Sequence, residues 1–424
     1  LPITRPPIRG GAIHLRGNTI EYVGQPLGGE VDLGEVVLFP AWVNLHTHLD
    51  LSDCRDPLGE SGEALPSWLG KVIGHRRQRA QVNPRAASDA AALGVDELRH
   101  TGTRLFVDIA SDGSVAQAII ERSRAAGQPD AFPSEAVAPR GETAATASIT
   151  AIDPFEPYLL GETLGLSLER QQLTWRQAID VQRAALAAGL HGGLSPHAPY
   201  STTIGTVDQA CRAAKAGHFP VAMHLAESWQ EQRLLEKGDG PIRDRLEAIG
   251  VWQDGLFPCP DYWERAIELL ARAPIALLVH ANYLHDRHRK LLAGRSQITV
   301  VYCPRTHARF GHPPHPLAEL LSAGVRVGLG TDSRASNPDL DLWGEVRFLF
   351  ERRPDLTPQQ VMAAATWHGA AALRREDCGQ FVVGACPGVL VLPTDDRHDA
   401  YAGIAASRAL PVPLHRFLAR PGPT

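Results

Sequence analysis

The chain of 424 residues is poor in lysine, in long apolar runs and in paired cysteines. Its positive charge is nearly all arginine; only Lys71, Lys215, Lys237 and Lys290 are lysines. No stretch approaches ~18 uninterrupted apolar residues, so no transmembrane helix is expected. Cys54, Cys211, Cys259, Cys303, Cys378 and Cys386 are scattered without a CxxC pair, which excludes a zinc ribbon and a disulfide framework. HExxH, PCxxC, Walker A and GxSxG patterns are also missing, and with them several zinc, nucleotide and serine chemistries. The formal net charge of −5 gives no basis for nucleic-acid or polybasic membrane binding. The opening LPITRPPIRGG lacks a basic-plus-apolar leader pattern. A cytoplasmic protein acting on a small molecule, possible as a homodimer, is the expectation.

What is present is an ordinary globular composition, 44% hydrophobic and 21% charged. Short apolar, β-branched runs recur at 36–45, 103–109, 131–137, 192–196, 220–224, 275–280, 298–303 and 325–330. Amphipathic segments lie between them. Eight strands alternating with helices fit a (β/α)8 TIM barrel or a doubly wound sheet. Five of the eight end in His or Asp, and a closed barrel gathers that many strand ends around one mouth.

The ends break this pattern. Residues 12–15 and 19–23, joined by Arg16-Gly17-Asn18, read as a hairpin. Residues 381–383 and 389–393 read as short strands. The α/β chain therefore divides into a small β-sandwich from both termini, residues 1–35 plus 376–424, and a catalytic barrel over 36–375.

Residues i and i+2 of a strand share a face. In FPAWVNLHTHLD, His46 and His48 can therefore chelate one ion, although such a pair also occurs as core or surface histidines. His224 ends a strand in VAMHLAES. Glu227, three residues on, either arches over the same mouth or sits at a helix N-terminus. His280 follows the apolar run of LLVHAN. Asp332 in GLGTDS is placed either as a ligand or as a helix cap. Four such coincidences on strands 1, 5, 6 and 8 favour a site.

FPAWVNLHTHLD, LSPHAPYST, VAMHLAES, VHANYL and GLGTDSRASN, in this order over about residues 36–373, resemble the amidohydrolase superfamily, most closely its deaminase and chlorohydrolase branch. The resemblance implies that His46, His48, His224 and Asp332 bind a divalent metal. It also implies that His280 and Asp332 orient the reacting water, that Glu227 shuttles protons, and that His197 touches the substrate. Binuclear members use a carbamylated lysine at the end of strand 4. No lysine lies near LSPHAPYS, so one metal is expected, Zn or Fe(II).

The implied reaction is hydrolytic deamination of an amino-substituted ring, with ammonia as product. Loss of a halide needs only ring-nitrogen protonation, whereas loss of an amine needs a second proton transfer. Glu227 therefore favours deamination over chlorohydrolysis. A non-catalytic scaffold is disfavoured because all four ligands are present.

CPRTH…FGHPPHP and GTDSRASNPDLDL look most like aminodeoxyfutalosine deaminases of menaquinone biosynthesis, which act on a purine nucleoside bearing a carboxyphenyl group. Arg140, Arg305 and His307 would supply cations for that carboxylate, unless they pair with acids elsewhere. Arg76-Arg77 stands where thioadenosine and adenosylhomocysteine deaminases carry a ribose-binding Glu, which puts plain adenosine-type substrates in doubt; thioadenosine, adenosylhomocysteine, guanine, cytosine and a chlorinated heteroaromatic ring such as a chlorotriazine remain open. Trp68, Phe310 and Trp343 are either ring-stacking walls or core. The long connection 236–263 is a lid candidate.

Overall fold

The computed structural model describes residues 1–125, 155–394 and 399–419. A hairpin of β1 (Ala12–Arg16) and β2 (Thr19–Gly24) comes first. It turns through Gly17, whose φ of +58° suits glycine. The next strand, β3 (Val36–Pro40), is followed by β4 (Trp42–Thr47), β5 (Thr103–Ala110), β6 (Glu156–Thr163), β7 (His191–Pro196), β8 (Pro220–Leu225), β9 (Ile275–His280), β10 (Ile298–Tyr302) and β11 (Arg326–Leu329). The strands β4 to β11 form one parallel eight-stranded sheet in sequence order, with helices between them. It curls into a (β/α)8 barrel. A bridge between Thr47 and Asp332 joins the two ends of the sheet.

Both sides of the barrel wall are apolar, as expected for a sheet covered on each face. Val43, Leu45, Leu105, Val107, Leu160, Leu277, Val279 and Val301 form one buried cluster. The opposite face, with Val221, Met223, Leu278, Val300, Val327 and Leu329, packs among residues of the surrounding helices. Trp343 belongs to this outer core. It is 1% exposed, stacks on Trp42 at 6.1 Å and donates from Nε1 to Ala409 O at 3.1 Å, so it is no wall of the mouth.

Three sequence expectations change. The run 36–45 is two strands. Its first half leaves the barrel and, as β3, pairs antiparallel with β12 (Val389–Pro393), which also pairs with β13 (Val412–Pro413). The third barrel strand is Glu156–Thr163, whereas the expected 131–137 lies outside the described residues. Residues 381–383 are not a strand. Phe381 N donates to Pro2 O, and the neighbouring Gly384 and Ala385 clasp Ile20 by backbone hydrogen bonds. Ile20, Phe381 and Val389 form a small apolar cluster with Ile13, Val23, Leu38 and Leu414 against it. It joins the hairpin to the three-stranded sheet.

Among the described residues, no helix is long and apolar enough to cross a membrane. Trp343→Ala should lower the unfolding free energy by about 3–5 kcal/mol, measured by urea denaturation. A loss below about 1 kcal/mol would show that the stacked pair is not a core contact.

Candidate active site

The C-terminal ends of the barrel strands form the mouth. Several turn inward through left-handed backbone at residues other than glycine: Ala226 (φ +55°), His280 (+72°), Ala281 (+59°) and Asp332 (+62°). Each such residue costs roughly 1–3 kcal/mol and persists only where its surroundings enforce it. Here the enforcing bonds are visible. Asp332 N donates to His46 O at 2.9 Å, and Ala281 N to Leu225 O at 3.0 Å. His315 Nε2 lies 2.8 Å from His280 O.

Pairing of β4 with β5 shifts register between Asn44 and Thr47. Asp108 supports that irregular stretch, accepting from Leu49 N and from Thr47 Oγ1, both at 2.8 Å. His46 and His48 on this stretch have ring centroids 4.8 Å apart. His224 Nε2 lies 3.2 Å from His46 Nε2 and 3.3 Å from His48 Nε2. Asp332 Oδ1 is 3.6 Å from His46 Nε2 and 3.8 Å from His48 Nε2. His46, His280 and Asp332 form a second, overlapping donor group.

Burial, followed by the neighbouring imidazoles, pushes His48 and His224 well below the ordinary histidine pKa. Burial brings His280 to about 3. These rings are therefore held in the neutral form, the form in which an imidazole can ligate a metal. Burial alone would raise the Asp332 carboxyl, but a hydrogen bond with His46 holds it below its usual range.

Converging neutral nitrogens beside an ionised carboxylate fit a divalent cation and repel one another without one. His224 Nδ1 lies 2.9 Å from His197 O, the backing that fixes Nε2 as the ligand atom. Asp332 is oriented by Ser333 N at 2.8 Å and Ser336 Oγ at 3.0 Å. His46 Nδ1 has no such partner among the described residues.

Glu227 Oε1 sits 3.5 Å from His280 Nε2. Burial, then the Glu231 and Asp332 charges, raises the Glu227 pKa well above 4.5, opposed by a hydrogen bond from Tyr200. The Glu227 turn is tied from behind. Asn282 Nδ2 donates to Glu227 O at 2.9 Å. Buried Glu231 accepts from Ala226 N at 2.8 Å and from Trp263 Nε1 at 2.6 Å.

The structure thus brings together His46, His48, His224, Glu227, His280 and Asp332, with His197 beside His224 at a ring distance of 5.0 Å. Trp68 is buried in an apolar cluster with Leu51, Leu65, Leu166, Tyr200 and Phe310, and meets the Phe310 ring edge-on at 5.2 Å. Trp252, Leu256 and Phe257 of the long 236–263 connection pack on this cluster.

The expected cations fare differently. Arg305 is a correction. Its guanidinium is committed to Glu345 at 2.6 Å and Asp339 at 2.6 and 3.1 Å, and also donates to Asp341 O, because buried Glu345 needs a counter-ion. His307 is buried, with Nε2 2.9 Å from Pro313 O. Arg140 lies outside the described residues. Arg76 is the cation whose field reaches His48 and His197, and it makes a bidentate pair with Asp50 at 2.9 Å.

Sequence reading missed Glu162, Tyr200 and Glu231. Glu162 ends the apolar run Tyr158-Leu159-Leu160-Gly161, the same signature that marked His224 and His280. It was overlooked because strand 3 was placed upstream.

Strand-end histidines and an aspartate around the mouth of a (β/α)8 barrel define a hydrolase of the metal-centre type. The chain belongs to the amidohydrolase family, whose profile matches residues 37–404. It is 25% identical over 426 residues to 5-methylthioadenosine/S-adenosylhomocysteine deaminase of Carboxydothermus hydrogenoformans, covering 93% of this chain and 84% of that one. It is 28% identical over 382 residues to aminodeoxyfutalosine deaminase of Deinococcus radiodurans, covering 85% and 80%. The fold is shared with a zinc-bound Xanthomonas campestris adenosine deaminase (TM-score 0.71, 19% identity, 96% and 87% coverage). It is also shared with Helicobacter pylori aminofutalosine deaminase in complex with methylthio-coformycin (TM-score 0.72, 18% identity, 94% and 91% coverage).

Asp332→Asn and His224→Ala should each lower bound divalent metal, read for both zinc and iron, well below one per chain by elemental analysis, because affinity depends on a complete, deprotonated ligand set. Undiminished metal in both variants would place the ion elsewhere.

Proposed function

We propose that the protein is a metal-dependent aminohydrolase that deaminates an adenosine-like nucleoside and releases ammonia. The observation that carries this reading is the buried Glu227 carboxyl, with its raised pKa, next to His280 and the donor set. His46, His48, His224 and Asp332 would hold the divalent ion. Bound there, it supplies a Lewis acid that can lower the pKa of water to about 7.

The chain's own groups account for the proton traffic. Glu227 takes a proton from the attacking water and delivers it to the ring nitrogen beside the amino-bearing carbon. A carboxyl with a raised pKa is suited to both steps near neutral pH. The second water proton goes to the amino group, so that ammonia departs and the ring carbon keeps the oxygen. Neutral His280 and ionised Asp332 orient the water. Tyr200 stands beside Glu227 and favours its charged form. The apolar cluster around Trp68, Phe310 and Leu166 excludes water from the heterocycle.

Within this class, 6-amino-6-deoxyfutalosine is the first candidate, ahead of methylthioadenosine and adenosylhomocysteine. The D. radiodurans relative supports it; the Arg76 guanidinium, whose charge reaches His197, is itself paired with Asp50. The support is narrower than sequence suggested, because Arg305 is spent on Glu345 and Asp339.

Ammonia release from aminodeoxyfutalosine, methylthioadenosine, adenosylhomocysteine, adenosine, guanine and cytosine tests the reading. Turnover should be confined to the adenine nucleosides. Fastest turnover of guanine or cytosine, or chloride release from a chlorotriazine with no ammonia from any purine, would replace it.

Glu227→Gln should keep its metal and lose about 10²–10⁴-fold in kcat. In the wild type, kcat/KM should fall as the pH drops through an apparent pKa above 4.5, because a protonated Glu227 cannot accept the water proton. An unchanged acidic limb in the slow variant would assign that pKa to another group.

A further inference from the structure

The mouth contains a carboxylate for which the deamination chemistry has no use. Glu162, at the end of β6, is 13% exposed, and its Oε1 stands 3.9 Å from His197 Nε2, beyond hydrogen-bond length. Among the described residues, no hydrogen bond engages the Glu162 carboxylate. Its charge is felt by Arg76 and by Tyr200, and Tyr200 also acts on Glu227, so it lies in the neighbourhood of that group.

His197 is set as its companion. Ser201 Oγ lies 3.2 Å from Ala198 O, the geometry of a donated bond. The hydroxyl oxygen is then the acceptor for His197 Nδ1, at 2.5 Å. That assignment leaves Nε2 with a lone pair. Two acceptors, Glu162 Oε1 and His197 Nε2, therefore stand side by side and call for two donors between them. They lie one ring beyond His224, the place where the substituent of a heterocycle held over the donor set would emerge. A neutral vicinal diol supplies two adjacent O–H donors, and a carboxylate is the strongest acceptor for them.

We propose that Glu162, with His197, is the specificity-determining acceptor for the ribose diol and selects nucleosides over free bases. The inference rests on the nucleoside reading above. It differs from a purely orienting role for Glu162, in which the carboxylate would act only through the His197 ring.

The test is calorimetric titration of the zinc-loaded Glu227→Gln protein, which removes turnover, with adenosine and with 2′,3′-dideoxyadenosine. Adenosine should bind about tenfold or more tightly than its dideoxy analogue. In Glu162→Gln/Glu227→Gln that preference should collapse to within about twofold, with dideoxyadenosine affinity unchanged. Glu162→Asp/Glu227→Gln keeps the charge but withdraws the acceptor by one methylene, and should lose part of the preference.

Equal binding of the two ligands to Glu227→Gln would overturn the role of Glu162 while leaving the nucleoside reading intact. A preference that survives both double variants would do the same. Equal weakening of both ligands would assign Glu162 to orienting His197. Binding of neither nucleoside to Glu227→Gln would overturn the nucleoside reading and this inference together.

Discussion

The seam where the last barrel strand meets the first holds the fold and the site in one set of bonds. Asn44 Nδ2 donates to Thr331 Oγ1 at 2.8 Å, and Thr331 N donates back to Asn44 Oδ1 at 3.2 Å. Asp332 N reaches His46 O. These groups are buried, so leaving them unpaired would cost about 1–3 kcal/mol each. The same seam sets His46 and Asp332 face to face. Barrel closure and ligand convergence are therefore one event, and loosening one loosens the other.

A ring of strained residues transmits this geometry around the mouth. Left-handed backbone at Ala226, His280 and Asp332 turns the chain off three strand ends and directs His224, Glu227, His280 and Asp332 over one small volume. Glu231, Asn282 and His315 hold those turns through backbone atoms. Glu227 illustrates the result: its main-chain oxygen is tied by Asn282, while its carboxyl stands beside Tyr200 and His280.

Much of this was legible in the chain because a strand that ends in a ligand writes a local signature, an apolar run followed by one ionisable residue. His46, His224, His280 and Asp332 were found that way, and so were seven of the eight barrel strands. The failures share a cause. Arg305 reads as a mouth cation until buried Glu345, forty residues downstream in sequence, claims it; a pairing at that separation has no local trace. Glu162 carried the right signature but was masked by a competing apolar run at 131–137. The division of 36–45 into two strands depends on β12 and β13, which come from the far end of the chain. Left-handed turns at Ala226 and His280 are invisible to propensity, since tertiary bonds impose them against it.

The ligand set is split by nearly the whole length of the barrel, with Asn44 and Thr331 of the closing seam 287 residues apart in sequence. During synthesis, His46 and His48 leave the ribosome long before Asp332 exists. For most of that time a metal ion would find only part of its coordination sphere. An ion held by these residues would load only once the eighth strand is made, and would then stabilise a closed barrel in preference to every shorter intermediate.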